Sequence, residues 1–306
     1  MGFKKAVREQ VSLKVLLSGP SGSGKSYSAL RLATGIAEKC GGPIGYIGTE
    51  GDRDRLYADK FDYDLLQLSD PNYSPEDYIK AIDMAIDAGY KVLVIDSTSH
   101  EWKYLTDMSQ KMGNSSNSFL NWSKLKPRHQ KFMDKVLMSP IHIIATARGK
   151  TEWVLETKNG KQTPTKVGMG QQQDKDVSYD YQVSLMIQQD THLAEVDKDN
   201  SQIFDGKIEL LSEKHGHLLY DWANSGQIAT PKPQKSYETV EVDNTELLKS
   251  IKQQIISKAT ELGGSKNTSM MELIRSVIPS GNPNAIKDLE KARNLLTDLA
   301  GIKPVE

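Results

Sequence analysis

One short segment near the start of the chain constrains its fold more than any other. The run Gly19-Pro20-Ser21-Gly22-Ser23-Gly24-Lys25-Ser26 matches the pattern G-x-x-x-x-G-K-[ST]. In such a loop, backbone N–H groups turn inward to bind phosphate oxygens, and glycines keep side chains out of the way. The lysine supplies a positive charge for the terminal phosphates, and the hydroxyl that follows it is a ligand for Mg²⁺. The segment predicts a nucleotide site formed by Gly19, Pro20, Ser21, Gly22, Ser23, Gly24, Lys25, Ser26 and Tyr27.

The sequence on both sides of this loop has the periodicity that the loop requires. Residues 13–18 form a short apolar run typical of a buried strand, and residues 26–37 place apolar side chains at helical spacing. A strand, a loop and a helix in this order point the helix N-terminus at the phosphates, where the helix dipole favours negative charge. This context favours a true phosphate-binding loop over an ordinary glycine turn.

Three further apolar segments end in polar side chains. Residues 91–95 lead into Asp96, residues 44–48 lead into Glu50, and the segment from residue 141 ends near Arg148. Buried parallel strands have this composition, and their carboxyl ends meet at one edge of a sheet. We therefore predict an α/β fold with a mainly parallel sheet flanked by helices, in which Ser26 and Asp96 hold Mg²⁺.

Nucleotide hydrolysis also needs a group that orients or activates water. In one large class of nucleotide-hydrolysing proteins an acid directly follows the metal-binding aspartate, but here that position is Ser97. Glu50, at the end of a neighbouring predicted strand, can supply the missing carboxylate. We predict Glu50 and Lys25 as catalytic residues, while an exposed loop acid remains the alternative for Glu50.

The length of 306 residues allows one large domain and one small one. We predict a core over residues 1–227, a linker over residues 228–243 that contains two prolines, and a small helical domain over residues 244–306. The third segment places leucines and isoleucines on one helical face, beginning at Leu247.

The composition excludes several classes of protein. Hydrophobic residues make up 37% of the chain, and no run approaches the roughly 18 apolar residues of a membrane span. The N-terminus has no apolar secretion signal, and the single Cys40 forms no disulfide framework, so we expect a cytoplasmic protein without membrane contact. The net charge of −1 carries no global signature of nucleic-acid binding, which leaves that role to local patches.

Several segments together resemble a known family. Tyr46-Ile47-Gly48-Thr49-Glu50 looks like the RecA-type segment that delivers the catalytic glutamate, and Val94-Ile95-Asp96-Ser97 looks like the strand that holds the metal-binding aspartate in that family. Other segments, such as Asn121-Trp122 and Lys166-Val167-Gly168, resemble phage-encoded RecA-like P-loop ATPases of the AAA group. The resemblance covers about residues 10–227 and leaves out the C-terminal part.

The resemblance implies ATP and Mg²⁺ as cofactors and work on single-stranded DNA in the host cytoplasm. Annealing or strand exchange beside a single-stranded DNA-binding protein is the expected activity, with the chain as a ring or filament of identical subunits. By the same resemblance, the polar residue at the end of the third strand, Thr146, senses the γ-phosphate and joins the catalytic set.

Two basic clusters give partial support for DNA binding, because cations neutralise the backbone and aromatic rings stack on bases. One lies near Trp122 and Phe132, and the other lies in a predicted hairpin with an Asn-Gly turn, followed by a segment expected to be mobile over residues 166–176. Solvated helix faces and core aromatics explain the same residues almost as well. The predicted DNA-binding residues are Lys124, Lys126, Arg128, Lys150, Lys158, Lys161 and Lys166, and segments 113–126 and 150–176 occupy the places of the two DNA-facing loops of RecA-like proteins.

The chain departs from the RecA pattern at some positions. Thr146 stands where those recombinases have glutamine, and Lys198 alone lies near the place of the paired lysines that reach a neighbour's nucleotide. Arg148 is an alternative partner for the γ-phosphate, and His100 follows the Asp96 strand closely enough to touch the site.

Two other functions stay open at this stage. A nucleotide-dependent switch, such as a helicase-loading or assembly factor, would use the same phosphate-binding residues. A small-molecule kinase is less favoured, because the region after Arg148 is rich in lysine rather than in the arginines of a substrate lid. DNA-stimulated turnover separates the leading hypothesis from both.

Overall fold

The computed structural model describes residues 2–3, 5–112, 118–158, 161–171, 177–228 and 244–302. The chain divides into two compact units, Met1–Lys232 and Pro233–Glu306. The division falls inside the segment 228–243 that the sequence predicts as a linker, most of which lies outside the described residues.

The first unit is built on one mainly parallel sheet in the strand order β3-β2-β4-β5-β1-β7-β8, with β6 paired to β5 alone. The pairings along this order are parallel up to β7, while β8 and β6 run antiparallel to their neighbours. The predicted α/β fold with a mainly parallel sheet is thus confirmed. The strands are β1 Lys14–Gly19, β2 Ile44–Gly48, β3 Asp64–Gln67, β4 Val92–Asp96, β5 His142–Lys158, β6 Lys161–Gln171, β7 Val183–Ile187 and β8 Ala194–Asp199.

Helices cover both faces of this sheet, so the central strands are buried on both sides. One face packs against α1 and α6, and the other packs against α2 and α4. Helices α1 and α6 come very close, because a Cβ at Gly35 would lie 2.0 Å from the Glu213 carbonyl oxygen. The helices are α1 Lys25–Cys40, α2 Pro75–Asp87, α3 Ser99–Lys111, α4 Ser118–Met138, α5 Val177–Asp180 and α6 Glu213–Ala223.

The second unit is helical, as predicted. It contains α7 Asn244–Glu261, α8 Thr268–Val277 and α9 Leu289–Ala300. Its core includes Ile255 and Leu295, both fully buried.

Three expectations about loops are wrong. Strand β5 does not end at Arg148 but continues to Lys158, and β6 occupies much of the segment 166–176 that was expected to be mobile. Of the predicted DNA-facing loop 113–126, residues from Ser118 onward belong to α4, which passes through Pro127 without a break in the helix.

A buried lysine lies at the amino end of β1. The Lys14 side chain is 2% exposed, and its ammonium donates to the carbonyl oxygens of Ser139 at 3.0 Å and Ile141 at 2.8 Å. Burial lowers the pKa of Lys14 to about 7. Neutral acceptors hold this group in place, and none of them offsets the cost of burying its charge.

We expect the stability of the protein to rise between about pH 7 and about pH 10 because of Lys14. In this range the unfolded chain keeps the lysine proton that the folded chain has lost, so the free energy of unfolding increases by up to about 1.4 kcal/mol per pH unit. Lys14→Met removes this contribution. Urea unfolding of both proteins across this range measures it, and wild-type and variant curves that stay parallel would contradict the assignment.

Candidate active site

A cavity of about 520 Å³ opens at the carboxyl edge of the sheet. The phosphate-binding loop forms one wall. Asp96 ends β4, Glu50 follows β2, Arg148 lies within β5, and all three line the cavity. The structure therefore brings together the loop, the predicted metal-binding aspartate and the predicted catalytic glutamate. They come from separate parts of the chain and meet because parallel strands end at one edge.

The loop has the backbone shape that phosphate binding requires. Gly24, with φ of 89°, immediately precedes the first turn of α1, whose N-terminus faces the cavity with Lys25 and Ser26. A Cβ at Gly19 would lie 2.5 Å from the Ile187 carbonyl oxygen, so only glycine fits there. The motif therefore requires glycine at these two positions, because a side chain would clash with the backbone at Gly19 and would strain the backbone at Gly24.

Lys25 lies within the loop and faces acidic neighbours. Its side chain is 8% exposed, and its ammonium donates to the Pro20 carbonyl oxygen at 2.7 Å. Burial lowers the pKa of Lys25, and the carboxylates of Asp96 and Glu50 partly offset that effect. The Lys25 charge is thus close to where a terminal phosphate would bind.

Two hydroxyl groups hold the Asp96 carboxylate. Oδ1 accepts from the Thr146 hydroxyl and Oδ2 accepts from the Tyr46 hydroxyl, both at 2.5 Å. Thr146 is fully buried and does not line the cavity, so its place favours holding Asp96 over sensing a γ-phosphate. Tyr46 was missed, because a tyrosine inside an apolar strand is typical of core.

The residues at this edge fit a nucleotide with Mg²⁺. Ser26 and Asp96 offer hard oxygen ligands, which Mg²⁺ prefers. Within the described part of the chain, the only buried side-chain polar atoms that lack a hydrogen-bond partner are the hydroxyls of Ser23, in the phosphate-binding loop, and of Ser97, which lines the cavity. Buried polar groups are normally paired, so the Ser97 hydroxyl points to a polar ligand here.

Glu50 and Arg148 form an ion pair at the cavity. Arg148 donates from Nη2 at 2.6 Å and from Nε at 3.2 Å, and both contacts go to Oε1 of Glu50. The Glu50 N–H lies 3.2 Å from each carboxylate oxygen of Asp54, which fixes the turn after β2. The sequence placed Glu50 and Arg148 at the same edge, and their pairing is new.

His100 lies behind the cavity rather than in its wall. Its Nδ1 is 2.7 Å from the Thr49 hydroxyl, and its ring stacks on Tyr73 with centroids 5.0 Å apart. Burial, and then the charge of Arg148, lower the pKa of His100. These contacts place His100 next to the strand ends, where it packs against Tyr73 and pairs with Thr49 rather than lining the cavity.

The turn between β7 and β8 contacts the phosphate-binding loop. His192, with φ of 59°, places Nδ1 3.0 Å from the Ser23 carbonyl oxygen, and Gln189 donates to the Ser21 carbonyl oxygen at 3.3 Å. No sequence signal identified this contact, since a histidine in a turn has no distinctive pattern. Lys198, further along β8, bonds to the Tyr179 carbonyl oxygen and does not line the cavity.

Aromatic and apolar side chains form the other end of the cavity. The ring of Tyr27 meets Tyr57 edge-on at 5.3 Å and Phe61 at 5.2 Å. Tyr57, Leu210 and Leu211 also line this end. A flat, partly apolar nucleotide base suits such a wall.

The predicted DNA-binding residues separate into three groups. Lys124 and Lys126 are exposed on α4. Arg128 is not the expected DNA contact, because it forms a two-pronged ion pair with Glu76 at 2.7 and 2.9 Å and its side chain is 12% exposed. The expected stacking ring Phe132 is fully buried. Lys150, Lys158, Lys161 and Lys166 lie on the β5–β6 hairpin, and their side chains are outside the described residues.

Among the described residues, no helix is both long and apolar enough to cross a membrane.

Comparison with curated proteins gave no match. Among solved structures, the chain is similar to a KaiC-like protein from the hyperthermophilic archaeon Pyrococcus horikoshii OT3, at 14% identity and a TM-score of 0.37. That alignment covers 63% of this chain and 89% of the archaeal one, and at this TM-score it carries no argument.

The family comparison is decisive, since residues 12–239 match the family described as AAA domain. This range contains the phosphate-binding loop and all the strands that end at the cavity. The match extends over more than half of the chain. The chain belongs to the AAA domain family.

Proposed function

We propose that this chain is an ATPase that acts on single-stranded DNA, as the RecA-like proteins of phage recombination and replication do. One observation supports the ATPase part above all others. Lys25, Asp96 and Glu50 line a single cavity, so the groups for phosphate binding, metal binding and water activation are present together. A phosphate-binding loop without a placed carboxylate would support nucleotide binding alone.

Each side chain has a distinct part in the proposed reaction. Lys25 and the loop N–H groups bind the β- and γ-phosphates, and Ser26 with Asp96 would hold Mg²⁺, which neutralises phosphate charge when bound. Glu50 accepts a proton from the attacking water as that oxygen bonds to the γ-phosphorus. The bond to the β–γ bridging oxygen then breaks, and ADP is the leaving group.

The ion pair with Arg148 suits this role for Glu50. Both contacts from Arg148 go to Oε1, so Oε2 carries no contact to the arginine. One oxygen is thereby fixed, and the other is the one that can meet water. An oriented carboxylate is what a general base needs.

Strand β5 links this site with the predicted DNA-binding hairpin. It contains Arg148 and continues to Lys158, with one irregularity in its pairing with β6 between Glu152 and Trp153. DNA bound along the hairpin would shift the strand that contains Arg148. A shift of Arg148 would in turn change the position of its partner Glu50. The exposed Lys124 and Lys126 add positive charge on α4, which packs against α3, the helix that follows Asp96.

The proposal also includes two kinds of protein partner. A ring or filament of identical subunits and a single-stranded DNA-binding protein fit a RecA-like ATPase in a phage. The resemblance described above is their only support.

We expect single-stranded DNA to stimulate steady-state ATP hydrolysis, and Lys124→Glu/Lys126→Glu to reduce that stimulation. Loss of two phosphate contacts should also lower the magnitude of the slope of log affinity for single-stranded DNA against log salt by about 1.4. The control is Lys214→Glu, an exposed lysine on α6 at the opposite face of the sheet. Hydrolysis that is indifferent to DNA, or equal effects of both variants, would contradict the DNA part of the proposal.

A nucleotide-dependent switch is the second candidate. The observation that favours it is the Glu50–Arg148 pair, which engages the proposed catalytic carboxylate. A switch would bind ATP tightly and turn it over slowly or not at all. Binding that depends on Lys25 without hydrolysis in any condition would favour this function.

A further inference from the structure

Tyr46 occupies an unusual place in the core. It lies in the middle of β2, its residue is 3% exposed, and it belongs to the apolar cluster on the α1 side of the sheet. Its hydroxyl donates to Oδ2 of Asp96 at 2.5 Å. One buried phenol thus contacts the carboxylate that would hold Mg²⁺.

The direction of this bond follows from the protons available. A phenol has one proton to give and an ionised carboxylate can only accept, so Tyr46 donates to Asp96. Each carboxylate oxygen has two lone pairs, so the lone pairs that Tyr46 does not use stay available for a cation.

Thr146 completes the arrangement on the other side of Asp96. Its hydroxyl donates to Oδ1, so each carboxylate oxygen has a fixed donor and the carboxylate cannot rotate freely. Residues that hold metal ligands in this way set the ligand geometry, and their loss commonly weakens metal binding by about 10–100-fold.

We propose that Tyr46 is a positioning residue for Mg²⁺, which fixes the Asp96 carboxylate in the orientation that presents it to the cation. This inference rests on the proposed nucleotide function. A tyrosine that only fills the core is the competing explanation, and removal of the hydroxyl alone distinguishes the two.

Tyr63 provides a matched control. Its ring packs against that of Tyr46 with centroids 5.0 Å apart, and its hydroxyl donates to the Asp54 carbonyl oxygen at 2.6 Å. Tyr63→Phe therefore removes a hydroxyl from the same aromatic cluster without touching Ser26 or Asp96. If the loss of any hydrogen-bonded tyrosine hydroxyl in this cluster weakens nucleotide binding, both variants show that loss of affinity.

The experiment measures binding of a fluorescent ATP analogue by the full chain, first in EDTA and then with increasing Mg²⁺. We expect Tyr46→Phe to raise the Mg²⁺ concentration for half-maximal enhancement of binding about tenfold or more, with much less change in EDTA. Tyr63→Phe should match wild type. Thermal unfolding gives the folded fraction of each variant, and affinities are referred to that fraction.

Three outcomes would overturn the inference. The Mg²⁺ midpoint of Tyr46→Phe could equal that of wild type, or Tyr63→Phe could shift it equally. Binding could also weaken equally with and without Mg²⁺, which would show a general loss of the pocket. If wild type itself bound no nucleotide, the proposed function would fall together with this inference.

Discussion

Replacement of Glu50 by glutamine should lower the turnover number for ATP hydrolysis by about 10²–10⁴-fold, the usual contribution of a general base. Glutamine keeps the shape of the side chain and cannot take a proton from water. Nucleotide affinity should stay near that of wild type, because no part of the proposed phosphate binding uses Glu50. Steady-state hydrolysis and equilibrium binding of a labelled nucleotide measure the two effects separately.

Asp52→Asn is the matched control for this substitution. It makes the same acid-to-amide change two positions further along, at a side chain that is fully exposed. Asp52→Asn should hydrolyse ATP like wild type. A Glu50→Gln protein with wild-type turnover would remove Glu50 from the catalytic set.

Replacement of Lys25 by methionine should weaken nucleotide binding about 10–100-fold, since a hydrogen bond to a charged group contributes about 1.5–3 kcal/mol. Hydrolysis should fall further, by about 10²–10³-fold in addition, because the lost charge faces the phosphate where negative charge develops. Methionine fills most of the space of the lysine chain, which limits the effect on packing.

The control for Lys25 lies on the same helix. Lys39 forms a surface ion pair with Asp221 at 3.0 Å near the end of α1, far along the helix from the loop. Lys39→Met should bind and hydrolyse ATP like wild type. Unchanged affinity in Lys25→Met would mean that the loop does not bind phosphate.

Much of this site could be predicted from sequence because its parts are local. A glycine-rich loop between a strand and a helix has one common use, and Asp96 directly ends a run of apolar residues. The position of Glu50 followed from a simple rule, since parallel strands deliver their last residues to one edge. The helical nature of the second unit was equally visible, from apolar residues at helical spacing.

Contacts between distant side chains could not be predicted in this way. Whether Arg148 meets Glu50 or a phosphate depends on the direction of its side chain within β5, which periodicity does not specify. Arg128 looked like a free cation because its partner Glu76 is 52 residues away. Tyr46 looked like core because β2 is apolar throughout, and only the fold shows that its hydroxyl lies beside Asp96.

The extent of β5 was missed for a different reason. The hairpin predicted over residues 153–162 is confirmed by the antiparallel pairing of β5 with β6, but this pairing already begins at Gly149 and so joins the hairpin directly to the central strand. The residues between Arg148 and Trp153 are polar, a composition that indicates a loop rather than a strand. Pairing within a hairpin can compensate for weak strand propensity, because each strand satisfies the backbone groups of the other.

The measurement that tests the central claim most directly is a single turnover with protein in excess over radiolabelled ATP, in the presence of Mg²⁺ and single-stranded DNA and quenched in acid. It isolates the chemical step from product release. Wild type should convert its bound ATP to ADP, while Glu50→Gln should bind the same amount and keep it intact. Intact ATP on wild type, or equal conversion rates by both proteins, would contradict the account of Glu50 as the base that activates water.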